Sequence, residues 1–499
     1  MTAFRLGGAV RLEDLVAVAT AGRKVVLPPA AKARMARARK ALEKAASAGR
    51  PIYGVNTGFG ELASVRISPE RIRRLNLNYI RSHSAGVGEP LPDAEARGII
   101  FLRANELARG FSACRPEVVE RLVKLLNRNI IPLVPSQGSV GASGDLAPMA
   151  HIALALIGEG EARKNGKVIR GRSVLKAAGI KPLVPEAKEG LSLTNGTQAM
   201  QSLGGLALAR ARRLLDAGDV AAALSLEAIK GSPAPFDKRL HALKPHPGQL
   251  HVAARLRRLL ATSEIRDSHR DDDNRVQDPY SFRCVPQIHG AARDALAYAE
   301  QTVIREMNSA TDNPVLAGGD FISGGNFHGM AIAMALDHAA NAMAVLGGVS
   351  ERRVFYMTLG RDPGLTPFLA RNPGIESGMM IPQYVAAALA SENKTLAHPA
   401  SADSVPTSAD KEDYVSMGMW GALKLQRMTA NVSRIMAIEF LTARRGLSFH
   451  EPLQPARRLR TALRALAKRL PTKKGDTAAS KRIERVSGLI LGDFFGGFA

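Results

Sequence analysis

Three glycines lie within seven residues of the stretch Gly138-Ser139-Val140-Gly141-Ala142-Ser143-Gly144-Asp145-Leu146-Ala147-Pro148. Glycine at that density opens backbone conformations closed to other residues. Asp145 and Pro148 suit the start of a helix that runs from His151 to Gly160. An ordinary turn into a helix is the plain reading. A serine hydrolase needs Gly-x-Ser-x-Gly, but Gly144 follows Ser143 directly. A phosphate loop needs Gly-Lys-Ser/Thr, which is absent here. A third chemistry fits. If the Gly144 nitrogen is pressed against the Ala142 carbonyl, the backbone can close into a five-membered ring. Loss of water from the ring and from Ser143 then leaves an exocyclic methylidene, a carbon electrophile made from protein alone. Small residues at Ala142 and Gly144 permit that closure, and the helix N-terminus puts partial positive charge near the ring oxygen.

A loop of this kind needs a large scaffold. The chain has 499 residues, 45% of them hydrophobic, which supplies ample core. From Met200 to Leu215, Val285 to Met307 and Phe327 to Tyr356, Ala, Leu and Met recur at helical spacing. Helices of that length predict a bundle whose apolar faces are covered by other helices or other subunits. The first third is mixed, with strand-like pieces at Ile52–Gly60 and Lys167–Arg170. The change of texture after Asn195 places a domain boundary there, giving 1–195 and 196–499. The longest apolar run, Met330 to Val349, is interrupted by Asp337 and His338, so no membrane span is expected. Glu13 and Asp14 interrupt any N-terminal signal core. Two cysteines, Cys114 and Cys284, point to a reducing compartment, hence the cytoplasm.

The formal net charge is +24, from 69 Lys and Arg against 45 Asp and Glu. Much of it sits at the ends: eleven basic residues against three acids in 1–50, and eleven against four in 451–499. Such a surface attracts polyanions nonspecifically. No nucleic-acid-binding motif accompanies it, so the basic ends read as a solvated face that speeds capture of anionic substrates. Nucleic-acid binding is the competing reading, with strongly salt-dependent DNA binding as its mark. Asp271-Asp272-Asp273-Asn274 lacks the turn glycine and distal glutamate of a calcium loop, and no His/Cys cluster suggests zinc. No metal is expected.

Further motifs occur in a fixed order: Tyr53-Gly-Val-Asn56-Thr-Gly58-Phe-Gly60, Thr194-Asn195-Gly196-Thr197-Gln198, Gln277-Asp-Pro-Tyr280-Ser-Phe-Arg283-Cys, Thr311-Asp312-Asn313-Pro314 and Glu412-Asp-Tyr-Val-Ser-Met417. Together with the Ala142-Ser143-Gly144 stretch, they make the sequence resemble the aromatic amino acid lyase family from Tyr53 to about Leu453. The resemblance implies a mainly α fold, a long-helix bundle of the fumarase/aspartase type with a smaller mixed N-terminal domain bearing the prosthetic group. It implies 4-methylidene-imidazol-5-one (MIO), formed autocatalytically from Ala142-Ser143-Gly144. It also implies a homotetramer whose active sites draw residues from several chains.

Family members remove ammonia from an α-amino acid to leave an α,β-unsaturated acid. By resemblance Tyr53, set in a glycine-rich loop, is the general base, although a tyrosine is a poor base until neighbouring cations lower its pKa. Arg283 can fork onto a substrate carboxylate, with Gln277 and Tyr280 on the same wall. Asn195 resembles a donor to the ring or carboxylate, and Phe327 an aromatic wall. The pair Ser82-His83 and the acid Glu412 resemble those of histidine-specific members, whereas phenylalanine- and tyrosine-specific ones carry Phe-Leu or His-Leu at the pair. An imidazole offers one donor and one acceptor, and either side chain could meet it. Lys411-Glu412-Asp413-Tyr414 departs from the Gln-Glu-Asp-His usual in those members. The reading is elimination of ammonia from L-histidine to urocanate. The alternative is a lyase or 2,3-aminomutase acting on another amino acid, such as tyrosine or phenylalanine.

Overall fold

The computed structural model describes residues 2–49, 51–270, 275–471 and 475–498. The acidic segment 271–274 lies outside them. Four long helices dominate: Gln198–Ala228, Val285–Met307, Met330–Thr358 and Gly418–Leu447. The chain forms two compact units, one of residues 1–206, 300–336 and 399–423, the other of 207–299, 337–398 and 424–499. The first therefore continues past residue 195 and takes in two later stretches.

The first unit is built round the helix Asp93–Ala108, which packs against Leu12–Thr20, Pro29–Ser47 and Pro116–Asn127. Ile99, Ile100, Phe101 and Leu102 follow one another and all are buried, as befits a helix covered on every side. That burial brings Arg103 and Glu106 into the interior, where each is matched. Arg103 donates to the carbonyls of Ser192 and Asn195, both at 2.7 Å. Glu106 accepts from Thr311 N at 2.8 Å and Thr311 Oγ1 at 2.9 Å. The backbone from 192 to 195 is thus tied to the most buried helix of the unit.

Three shorter helices carry the chemistry-bearing residues: Ile72–His83, Leu146–Ile157 and Glu189–Thr194, each packed against the other two. His83 closes the first, Ser143 precedes the second, and Asn195 caps the third. Helix Leu146–Ile157 ends at Gly158 with φ of 85°, a left-handed cap that suits glycine. Close approach also shapes the start of Gln198–Ala228. A Cβ on Gly204 would lie 2.6 Å from Leu336 Cδ2, and one on Gly205 2.7 Å from Leu15 Cδ2.

Strands are short and confined to this unit among the described residues. Lys167–Arg170 pairs antiparallel with Glu161–Lys164, which also pairs with Ile131–Pro132. Val87–Pro90 pairs with Pro135–Gln137. Ile52–Gly60, expected to be strand-like, is instead a run of turns with one isolated bridge, Thr57 to Arg66. Gly54 and Gly60 both have positive φ, which breaks extended pairing.

The second unit has helices and no named strand among its described residues, and holds buried charge. Arg353 and Glu439 are fully buried and pair through two nitrogens, at 2.5 and 2.9 Å. Ser225 and Ser350 add hydroxyl donors to the same carboxylate. His289 and Asp219 meet at 2.8 Å, with Arg293 on the other carboxylate oxygen. A buried carboxylate with this many donors is satisfied rather than orphaned.

Asp337 and His338 do not break the helix in which they lie. Met330–Thr358 runs unbroken through Asp337 and His338, and is long and apolar enough to cross a membrane by composition. Two thirds of its most apolar window is buried inside the protein, and Asp337 pairs with Lys424, so it is a core helix.

Candidate active site

A cavity of about 1060 Å³ opens in the first unit, and Tyr53, His83, Ala142, Ser143, Asn195, Phe327 and Glu412 all line it. Seven of the eleven residues singled out in the sequence therefore meet at one surface. Gly144 lies directly behind Ser143. Gln277, Tyr280 and Arg283 are not among the lining residues. They belong to the second unit, where Gln277 and Tyr280 are exposed and the Arg283 guanidinium sits 4.6 Å from the Tyr280 ring centroid. The Arg283 Nε is buried without a partner.

The loop around Ser143 is held open at one edge and clamped at the other. Ser143 has φ of 51°, a left-handed conformation that costs a residue with a side chain about 1–2 kcal/mol. Gly144, at φ of 82°, bridges to Gly196, and the Asp145 amide donates to the Gly196 carbonyl at 2.8 Å. A Cβ on Gly144 would stand 2.2 Å from that carbonyl oxygen, so only glycine fits. Asp145 occupies the N-cap position of Leu146–Ile157 but makes no side-chain cap. Its carboxylate turns instead to Ser139 Oγ and the Met200 amide, each at 2.9 Å. It thereby caps the start of Gln198–Ala228 and ties that helix to the serine loop. Complete burial pushes the Asp145 carboxyl up to about 6.

Ser143 Oγ donates to Glu412 Oε1 at 2.9 Å. Glu412 is presented by a tight hairpin in which Thr407 and Glu412 pair through their backbones. Ser408, Ala409 and Asp410 all take positive φ at its tip. Thr407 Oγ1 donates to Glu412 Oε2 at 3.1 Å, fixing the carboxylate. The hairpin also reaches the tyrosine loop, since a Cβ on Gly60 would meet Ser408 Oγ at 2.8 Å.

Tyr53 accepts from the Gly60 amide at 3.1 Å. Burial raises its hydroxyl above the ordinary tyrosine range, the Gly60 donor opposes this, and the Glu412 charge adds to it. The lowering cations expected from the sequence do not dominate here, and Tyr53 is neutral in this setting.

His83 is more sharply defined than its sequence context allowed. Its Nδ1 lies 2.8 Å from the Tyr79 carbonyl, one turn back on the same helix. A carbonyl only accepts, so Nδ1 carries the proton and Nε2 is left as an acceptor. Burial lowers the imidazole pKa below its ordinary value, against the Tyr79 carbonyl and the Glu412 charge. The ring stacks on Tyr79 with centroids 3.8 Å apart. Tyr79 and Thr407 were missed in the sequence. Tyr79 sits four residues before His83, a spacing that signals a shared helix face. Thr407 carries no such signal.

The residues fit a ring at 142–144. Asn195 is buried, yet its Nδ2 has no partner, which leaves a donor for an acceptor placed at the loop. The Gly144–Gly196 approach leaves no room for any side chain behind it.

Comparison with known proteins agrees with this geometry. The family model for aromatic amino acid lyases matches residues 10–468. A histidine ammonia-lyase of Anaeromyxobacter dehalogenans is 48% identical over 494 residues, 97% of each chain. The crystal structure of histidine ammonia-lyase from Trypanosoma cruzi superposes with a TM-score of 0.92 at 38% identity, covering 100% of this chain and 95% of that one. A tyrosine aminomutase from Streptomyces globisporus gives 0.92 at 36% identity, covering 100% and 98%. The chain belongs to the aromatic amino acid lyase family.

Proposed function

We propose that this protein eliminates ammonia from L-histidine to give urocanate at the cavity bounded by Ser143, His83 and Glu412. The near full-length identity to histidine ammonia-lyases supports this substrate. The observation that carries it is the neutral His83, whose Nε2 acceptor shares the cavity with the Glu412 carboxylate. An imidazole N–H supplies a donor to this pair. A phenyl ring supplies none and strands the His83 Nε2, at about 1–3 kcal/mol for the buried orphan, whereas Glu412 keeps Thr407 Oγ1 as a donor.

MIO formed from Ala142-Ser143-Gly144 would supply a carbon electrophile that makes the amine a good leaving group. Asn195 Nδ2 is the donor available to it, and Arg103 holds the Asn195 carbonyl from behind. Tyr53 takes the β-proton. Because burial keeps Tyr53 neutral, that role requires a cation beside its hydroxyl. The substrate ammonium and Arg283 are the cations in this scheme. Arg283, Gln277 and Tyr280 act from a neighbouring subunit of a homotetramer, which agrees with their absence from this chain's own cavity lining. Phe327 forms the aromatic wall. A cytoplasmic setting agrees with two free cysteines.

Two measurements test the reading. Purified protein incubated separately with histidine, tyrosine and phenylalanine should release ammonia with histidine and form urocanate. Ammonia from another substrate alone, or a β-amino acid product without ammonia, would favour the aminomutase-like alternative that the Streptomyces relative motivates. Intact mass should fall two waters short of the encoded chain, and Ser143→Ala should abolish the deficit with most of the activity. Active protein at its full encoded mass would exclude MIO.

A further inference from the structure

The hydroxyl that must leave residue 143 has a carboxylate already aligned on it. Ser143 Oγ donates to Glu412 Oε1 at 2.9 Å, across 269 residues of sequence. The contact is not a loose surface pair. The second carboxylate oxygen is anchored by Thr407 Oγ1 at 3.1 Å, and the hairpin backbone pairs Thr407 with Glu412 on both sides. Three successive left-handed residues, Ser408 to Asp410, bring Glu412 back toward the cavity. Ser143 itself is held at φ of 51° by its neighbours' pairing with Gly196.

Taken together, these observations concern the protein before its prosthetic group exists, when residue 143 is still a serine. We propose that Glu412 dehydrates Ser143 during maturation, acting as the proton shuttle for the second of the two waters lost. The inference rests on the prosthetic-group reading above and adds a step to it. In the first step the Gly144 nitrogen bonds to the Ala142 carbonyl carbon, and that carbonyl oxygen leaves as water with the protons of the Gly144 and Ser143 amide nitrogens, leaving a C=N double bond between the Ala142 carbonyl carbon and the Ser143 nitrogen. The Glu412 carboxylate oxygens accept instead from Ser143 and Thr407. In the second step the Glu412 carboxylate takes the proton from Ser143 Cα, the electron pair forms the Cα–Cβ double bond, and the Cβ–Oγ bond breaks. The carboxylic acid returns its proton to Oγ, which departs as water and leaves Glu412 as the carboxylate. No oxidant or other reactant enters.

Geometry favours one group for both transfers. Cα and Oγ are two bonds apart, so a single carboxylate on that face serves a syn elimination. The product also relieves the backbone. A trigonal Cα has no side-chain chirality, so the penalty that an L-residue suffers at positive φ disappears.

The test is intact mass, with a peptide digest to locate the loss at 142–144, on freshly purified full-length variants. Wild type should be two waters short. Glu412→Gln should be one water short, because closure proceeds and dehydration stalls. Thr407→Val, which loosens the carboxylate without removing it, should give a mixture of one- and two-water species that moves toward two on standing. A folded Glu412→Gln protein should show the helical circular dichroism of wild type. If it is poorly folded, Glu412→Gly incubated with formate provides the second measurement, and formate should restore the second water loss. Glu412→Gln at a full two-water deficit would overturn the proposal, as would a Glu412→Gln protein at the encoded mass with native fold, since closure would then need Glu412 as well. Wild-type protein at the encoded mass would instead overturn the prosthetic-group reading itself.

Discussion

The imidazole of His83 is read differently by sequence and by structure. The family resemblance marked the pair Ser82-His83 as a candidate specificity device. Its tautomer was not, because that depends on a carbonyl one helical turn away and on burial. The consequence is directional. Burial puts the folded-state pKa of His83 below its ordinary value of 6.5, so the ring is neutral above that pH in folded and unfolded chains alike. As pH falls toward the folded value, the unfolded chain binds the proton first, and the stability that the neutral ring allows is lost on acidification. The Nε2 acceptor is lost in the same direction. Histidine kcat/KM should therefore decline on the acid side of pH 6.5, and a pH–rate profile should show that limb flattened when Ser82-His83 becomes Phe-Leu. The same exchange should lower histidine kcat/KM by about 1–3 kcal/mol, roughly 5- to 150-fold, while phenylalanine turnover falls less or rises. Lys411→Gln should leave histidine turnover similar or better. A large loss would make Lys411 a substrate contact.

Elements matter here for what they carry inward. Helical spacing foretold the long helices well, because apolar periodicity is a local property. It gave no hint that Asp93–Ala108 would be buried on all sides and would hold, through Arg103, the backbone at 192–195 next to the segment that pairs with the serine loop. Nothing local to Arg103 says that its partners are carbonyls some ninety residues on. Arg103→Met should cost about 3–5 kcal/mol in denaturant unfolding, because Glu106, 3.4 Å away, is left buried without its cation. Burial already pushes the Glu106 carboxyl upward, so adding Glu106→Gln should recover part of the loss. Additive losses in that double variant would mean the two side chains act independently. Ile52–Gly60 was misread for a related reason. It looked strand-like, but Gly54 and Gly60 at positive φ turn the chain and deliver Tyr53 to the cavity.

At the scale of the whole molecule, the sequence suggested that helices this long need partners. The structure shows Val345, Phe355, Ile381, Tyr384 and Val385 exposed on helices of the second unit. Light scattering should report a tetramer, and a fully active monomer would contradict active sites shared between chains. Interleaving could not be read from composition, since the first unit gathers three separated stretches whose textures differ. That arrangement sets a clock on the ribosome. Ser143 is translated early, whereas the carboxylate facing it is translated 269 residues later. At about 5–20 residues per second, that interval is roughly 13–54 s. On the maturation scheme proposed above, a nascent chain would carry an ordinary serine, harmless to surrounding amines and thiols, until most of the protein has been made. The electrophile would then be armed only once the scaffold that encloses it exists.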